Sequence, residues 1–541
     1  MLKIACSVFA GAVAYITFWS SFGAEIRVPQ DQPTIQSAID AASNGDVVRI
    51  FPGSYVENLV VSNRGIALTS LDPDDPAIVA STVISPAISG SPCIYLKSGP
   101  PCLVTGLSLG GGPVWIQSGS TLFRNNIHGP VTAGVDYKSG PLITIANNTV
   151  SYSVHILWPC ALIGNLISTT AGSIDALKRG PVLIAGNTIE NCGIEAWPQD
   201  GDVQIIGNTL RWPSAPASKC VMVGTGGLLT NNTLIGLRVE DYGAQVIGNT
   251  VAGYALPYGA AIWCGGSSVF LKGNIVSDNA SWGIKGWGNF FAANNIIMNN
   301  TGWGAYLVSP YGGIFAGNLV AANYTGASLG ISSSGSVCAF NNTIVGNRTG
   351  GLGLNQGIVA NNLIYDNYRG ILTVGWRQVI VRDNLMGKVE VIDNGGQMVW
   401  GPGNIDADPL FVDPGHWDGD TFILGDYHLL PGSPCIDAGA NDVDNPDTPE
   451  VETLPATDIA GLPRIIDGNL DGTATVDIGA YEYLPGDVNY DGKVNVLDLL
   501  IVRNSLDRDP ASSIEARKAD VNADGTVNVE DLLVVRGQLA R

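Results

Sequence analysis

ITIANNTV (143–150), CALIGNLI (160–167), VLIAGNTI (182–189) and VQIIGNTL (203–210) are four versions of one phrase. Each runs through apolar residues to a small or turn-forming one, then an asparagine, then further apolar positions. The phrase continues as RNNI, TNNTL, IGNTV, KGNIV, ANNII, AGNLV, FNNTI, ANNLI and RDNLM. Its final asparagine falls at 126, 148, 165, 187, 208, 232, 249, 274, 295, 318, 342, 362 and 384, a mean spacing of 21.5 residues. A fixed period of this length marks a solenoid, in which each repeat is a coil stacked on its neighbours.

The flanks choose the kind of coil. They hold β-branched residues and glycine turns with almost no helix formers, which predicts strands, and the L-x-x-L-x-L frame of a leucine-rich horseshoe is missing. A buried asparagine at the same corner of every coil can bond its neighbours above and below. These features resemble the right-handed parallel β-helix proteins of the pectin-lyase-like fold. The expected class is therefore all-β, a solenoid of 21–22-residue coils over residues 25–400. Within the opening stretch, PTIQSAIDAAS (33–43) reads as an amphipathic helix covering the open edge of the first coil. Residues 401–484, with NIDADPLFVDP and TDIAGLPRIIDGNLDGTATVDIGAYEY, resemble the C-terminal cap of secreted bacterial β-helix proteins. Inside it Asp467, Asn469, Asp471 and Gly472 form half of a calcium-like loop with no ligand at position 12, so a structural turn is expected.

The last 55 residues hold two copies of an acidic loop, DVNYDGKVNVLD (487–498) and DVNADGTVNVED (520–531). Both place oxygen side chains at positions 1, 3, 5, 9 and 12 and glycine at 6, the pattern of an EF-hand calcium loop. The first would use Asp487, Asn489, Asp491, Asn495, Asp498 and the carbonyl of Lys493. The second would use Asp520, Asn522, Asp524, Asn528, Asp531 and the carbonyl of Thr526. Only the exiting segments look helical. One loop and one helix, repeated after 33 residues, resembles a type I dockerin over 485–541, implying two Ca2+ sites and a cohesin-like partner. The family's Ser-Thr pair at loop positions 10 and 11 is replaced by Val496 and Leu497 and by Val529 and Glu530, which puts a standard cohesin in doubt.

Charged residues make up 14% of the 541, the net charge is −21, and 27 of the 48 acids follow residue 400. This balance argues against nucleic acid as a partner and marks calcium ligands and a solvated C-terminal cap. Lys3, the apolar run from Ile4 to Trp19 and the small residues to Ala24 read as a signal peptide (1–24), with a retained anchor as the alternative. A secreted or cell-surface monomer without a membrane span after cleavage is expected. Eight cysteines then remain; most sit in apolar segments as buried thiols, and Cys93 with Cys102 is the expected pair.

In each coil one strand opens after a small residue, and period-two alternation sends alternate side chains outward. Aligning the openers stacks Asp136, His155, Asp175, Glu195, Met222, Arg238, Ala261, Lys285, Tyr306 and Ser328. A second column, two residues on, holds Lys138, Leu157, Leu177, Trp197, Gly224, Glu240, Trp263, Trp287 and Val308. Trp197, Trp263 and Trp287 are candidate platforms for sugar rings. Asp175 and Glu195, on adjacent coils, suit glycoside hydrolysis, while Arg238 and Lys285 suit a lyase as base or carboxylate neutraliser. The same face could equally be a solvated sheet with incidental charges. The paired-Asp and Arg-Ile-Lys phrases of polygalacturonases are missing. Two functions stay open: a polysaccharide lyase or hydrolase on acidic or plant-type glycans, and a non-catalytic surface or matrix scaffold.

Overall fold

The computed structural model describes residues 23–134, 140–169, 172–176, 180–197, 203–212, 220–236, 238–257, 259–331, 336–374, 377–387, 392–394, 397–444 and 453–539. Most of the expected signal peptide, with Asp136, Lys138 and Leu177, lies outside them. The chain is an all-β parallel solenoid of about 15 turns with coils of about 22 residues. It divides into two compact units, Met1–Asn249 and Thr250–Arg541.

Each coil has three short strands. In the first unit, Val182–Ala185, Thr188–Glu190 and Gly193–Ala196 pair in parallel with Val203–Ile206, Thr209–Arg211 and Cys220–Val223 of the next coil. The second unit repeats the plan: Ser268–Lys272, Ile275–Ser277 and Trp282–Trp287 pair with Asn289–Ala293, Ile296–Met298 and Trp303–Ser309. Alternate residues such as Val182, Ile184, Ile189 and Ile194 enter the core and meet their counterparts one coil away.

The recurring phrase has a conformational cause. The residue before each ladder asparagine is left-handed, with φ near +60° at Asn147, Gly164, Gly186, Gly207, Asn231 and Gly248, so glycine or asparagine fills most of these positions, Arg124 and Asp383 being exceptions. The next asparagine is buried and bonds along the stack. Asn165 Oδ1 accepts from the backbone N–H of Asn148, and Asn165 donates its own N–H and Nδ2 to Asn187 Oδ1 at 2.8 and 3.0 Å. The ladder starts at Asn125, not Asn126 as the phrase suggested: it is Asn125 whose N–H donates to Asn148 Oδ1, while Asn126 opens the following strand. In the second unit a second ladder runs through Asn279, Asn300, Asn323, Asn347 and Asn367 at another corner, which the first phrase does not report.

The expected first helix forms at Ile35–Ala41, with Thr34 and Ser37 in a reciprocal cap, and it buries Ile35, Ala38 and Ile39. Residues after 400 form two antiparallel hairpins, Phe411–Asp413 with Asp426–Leu429 and His416–Asp418 with Thr421–Ile423. Phe411, Tyr427, Leu429, Cys435 and Ile478 pack there against Leu319, Val345, Leu363 and Leu385 of the coils. This region is less solvated than its acidity predicted: Asp458, Asp477, Glu482 and Arg464 are all buried. The half-loop at 467–472 is closed by its own bonds, Gly472 N to Asp467 and Asp471 N to Asn469. The C-terminal module has the two expected helices, Val496–Ser505 and Val529–Gln538, and an unforeseen short one at Ile514–Ala519.

The expected Cys93–Cys102 bridge does not form. Both thiols are buried and donate to the carbonyls of Ile84 and Arg64, and the other six described cysteines are likewise buried.

Candidate functional site

In the first unit, the outward column of the sheet that contains Gly193–Ala196 runs Tyr95, Trp115, Thr132, His155, Asp175, Glu195, Met222, Glu240. Asp175 and Glu195 stand across from each other on adjacent coils, as the alignment placed them. His155 Nδ1 lies 2.8 Å from Asp175 Oδ2. The Asp175 hydrogen bond raises the imidazole above its ordinary value, partly opposed by burial.

Arg238 is not in this column. It pairs with Cys220, and Glu240 takes the place across from Met222. The alternation was right and the register was wrong by two residues: Val239 enters the core beside Val221, and buried Asp241 then accepts from Gly243 N and Ala244 N to end the strand. Arg238 forms an ion pair with Glu240, whose other oxygen accepts from the Tyr242 hydroxyl at 3.3 Å. Trp197 packs against that tyrosine at a tilt of 43°, ring centroids 4.6 Å apart.

In the second unit the same slip moves Trp263, which pairs with Lys285 in the first outward column; Ile262 enters the core beside Ile284, and Ala261 is buried rather than outward. Trp287 stays in the second column against Val308 and is 57% exposed. The three tryptophans therefore do not form one stripe. Lys285 is followed by Tyr306, Ser328 and Gly353, so side-chain size falls sharply after Tyr306. The step leaves a groove of about 730 Å³ beside Trp303 and Tyr306, over a floor of Ala327, Ser328 and residues 350–354, with Arg369 on its margin.

Trp303 and Tyr306 line the groove and cluster with Trp282 behind them, with centroid separations of 5.3–6.1 Å, and Lys285 Nζ sits 4.4 Å from the Trp282 ring. Neither Trp282 nor Trp303 was among the candidates. A signal was present: each precedes a glycine of a stack, Gly283, Gly304, Gly326 and Gly351, where a Cβ would meet the carbonyl of the next coil at 2.1–3.0 Å. A Trp-Gly pair at 282 and again at 303 marks that corner.

The two acidic loops are held by the same bonds. Asp487 Oδ2 accepts from Gly492 N at 2.8 Å and Asp520 Oδ2 from Gly525 N at 3.0 Å. Asn489 Oδ1 and Asn522 Oδ1 accept from Asp491 N and Asp524 N. Asp498 and Asp531, both fully buried, bridge the loop to its helix by accepting from Asn489 N and Asn495 N, and from Asn522 N and Asn528 N. Burial, and then the Asp498 and Asp491 carboxylates, push Asp487 up to about 6, and Asp520 is raised in the same way by burial and by Asp531 and Asp524. Crowded carboxylates on a preformed turn fit a divalent cation with oxygen ligands. Among the described residues no three His, Cys, Asp or Glu side chains already form a metal cluster; Lys493 and Thr526 would add carbonyls, and Asn489, Asn495, Asn522 and Asn528 amide oxygens.

Comparison with known families decides the two parts. A dockerin type I model matches residues 485–540, and a right-handed beta helix model matches 193–358. The chain is a right-handed β-helix with a type I dockerin. Dockerin type I domains bind calcium, and the module implies a docking partner of the cohesin kind. No curated protein matches the sequence. Similar solved structures include pectate lyase Pel9A (12% identity, 86% of this chain and 97% of that one, TM-score 0.25). Others are the Azotobacter vinelandii mannuronan C-5 epimerase AlgE6 A-module (15%, 69% and 94%, 0.25) and XylC in complex with xylose (11%, 83% and 95%, 0.27). At such scores none bears on activity. No helix among the described residues is long and apolar enough to cross a membrane.

Proposed function

We propose that this dockerin-bearing β-helix is an exported protein that cleaves a polysaccharide by hydrolysis, anchored through its C-terminal module. The observation that carries this reading is the facing pair Asp175 and Glu195. Coils about 4.8 Å apart bring two such carboxyls near the roughly 5–5.5 Å separation used in retaining hydrolysis. The 2.8 Å contact with His155 orients Asp175, which suits it to attack or stabilise the anomeric centre. Glu195 is then the carboxyl that protonates the leaving oxygen. Elimination has weaker support, since Arg238 is engaged by Glu240 and Lys285 lies over Trp282.

The Asp487 and Asp520 loops would each hold one calcium ion through the donors named above, and calcium would neutralise their crowded carboxylates. The test of catalysis is incubation of the mature protein with pectins, alginate and neutral plant glycans, following reducing ends and unsaturated uronates. Reducing ends that vanish in Glu195→Gln support hydrolysis; unsaturated ends, or silence on every glycan, reject it. A second reading, glycan binding without turnover, is favoured by the groove beside Trp303 and Tyr306. Retention on a glycan that survives Glu195→Gln and yields no product would establish it.

A further inference from the structure

We infer that calcium in the first dockerin loop clamps the module onto the cap of its own β-helix. The contact is made by Tyr490, position 4 of that loop, a position that supplies no metal ligand. Its hydroxyl donates to the carbonyl of Leu429 at 2.9 Å, and its ring lies 5.0 Å from that of His428. Lys518 Nζ covers the ring at 4.8 Å. His428 in turn stacks on Tyr481 at 4.2 Å and is held by Asp426 at 2.6 Å, so the surface that receives Tyr490 is itself well fixed.

The loop and the clamp share one conformation. Tyr490 is left-handed, φ +59°, a state that a bulky residue keeps only when its surroundings impose it. What imposes it is the calcium-loop frame: the next two N–H groups, of Asp491 and Gly492, both donate to the Asp487 carboxylate. The second loop repeats the bend at Ala523, φ +55°, but offers the cap only a methyl group close to Gly432. A tyrosine in one loop and an alanine in the other make the clamp one-sided. Since metal binding and cap contact require the same loop shape, each strengthens the other. Val496, Leu497, Val529 and Leu533 stay exposed on the helices, so clamping leaves an apolar surface open to a partner.

The test uses the full-length chain and calcium alone. Calorimetric titration after chelation, in Asp487→Ala and Asp520→Ala backgrounds, assigns an affinity to each loop. Tyr490→Ala is expected to weaken the first loop about tenfold, the scale of one hydrogen bond plus one aromatic contact, and the second less than twofold. Chelation is expected to make the Leu484–Gly486 connection cleavable by protease, and Tyr490→Ala to make it cleavable even in calcium. His428→Ala, which leaves both loops intact, has to reproduce the shift. Unchanged affinity and protection in Tyr490→Ala, equal weakening of both loops, or no effect of His428→Ala would overturn the clamp.

Discussion

His155 and Asp175 face each other across adjacent coils, Nδ1 to Oδ2 at 2.8 Å, and the Asp175 side chain is far more sheltered than the histidine. Within one sheet face, the pair turns a sequence separation of 20 residues into a direct contact. It also gives the first unit a pH-sensitive element.

Because the imidazole gains its partner in the fold, its folded pKa lies above the ordinary value of about 6.5. Its contribution is present in full below that pH and is lost as pH rises through the raised value. The side chain is 41% exposed, so the effect is within about 1 kcal/mol. Chemical denaturation followed from pH 5 to 9 should show stability falling as pH rises through the raised His155 value, with a smaller fall in His155→Gln, in which the other shifted groups still titrate.

Asn187→Ala should cost roughly 2–4 kcal/mol, because the substitution leaves buried donors on Asn165 without an acceptor and removes the bonds to the Leu162 and Ala185 carbonyls. Thr188→Ala, at an exposed neighbouring position, should change stability by less than about 0.5 kcal/mol. Urea unfolding compares the two; similar midpoints would mean that the ladder is not a main stabilising element.

Trp303→Ala should weaken glycan retention about tenfold by removing one stacking face, a loss of about 1.4 kcal/mol. Ser328→Tyr should do the same by raising the floor beneath it. Affinity electrophoresis in glycan-containing gels reads both. Retention unaltered in both variants would place glycan binding elsewhere on the coil stack.

Arg464 donates to Glu482 at 3.0 Å and to the carbonyls of Gly479 and Ala480, in a site where burial and the neighbouring Asp477 raise Glu482. Arg464→Met should destabilise the protein by about 3–5 kcal/mol by stranding a buried acid. The double variant Arg464→Met with Glu482→Leu should regain part of that loss. A thermal shift series over the three proteins measures the difference.

Much of this protein was legible as text. The solenoid, its period and the acidic loops all repeat a local requirement: a left-handed corner before a stacking asparagine, or a glycine at position 6 of an oxygen-lined turn. Such needs are met within a few residues and so appear as motifs. Outward and inward parity was legible for the same reason, since it follows from strand pleating alone.

Register was not. Arg238 and Trp263 were each misplaced by two residues, because a shift of two preserves the alternation and only packing decides which apolar residue, such as Val239 or Ile262, enters the core beside its neighbour. The groove beside Trp303 and the contact of Tyr490 with Leu429 belong to the same class. They depend on which side chains meet after the coils stack and the chain end folds back, over separations of 61 residues in the second case. Local chemistry was therefore determined by the sequence alone, and neighbourhood was decided by the tertiary structure, because stacking is a relation between coils that no single coil encodes.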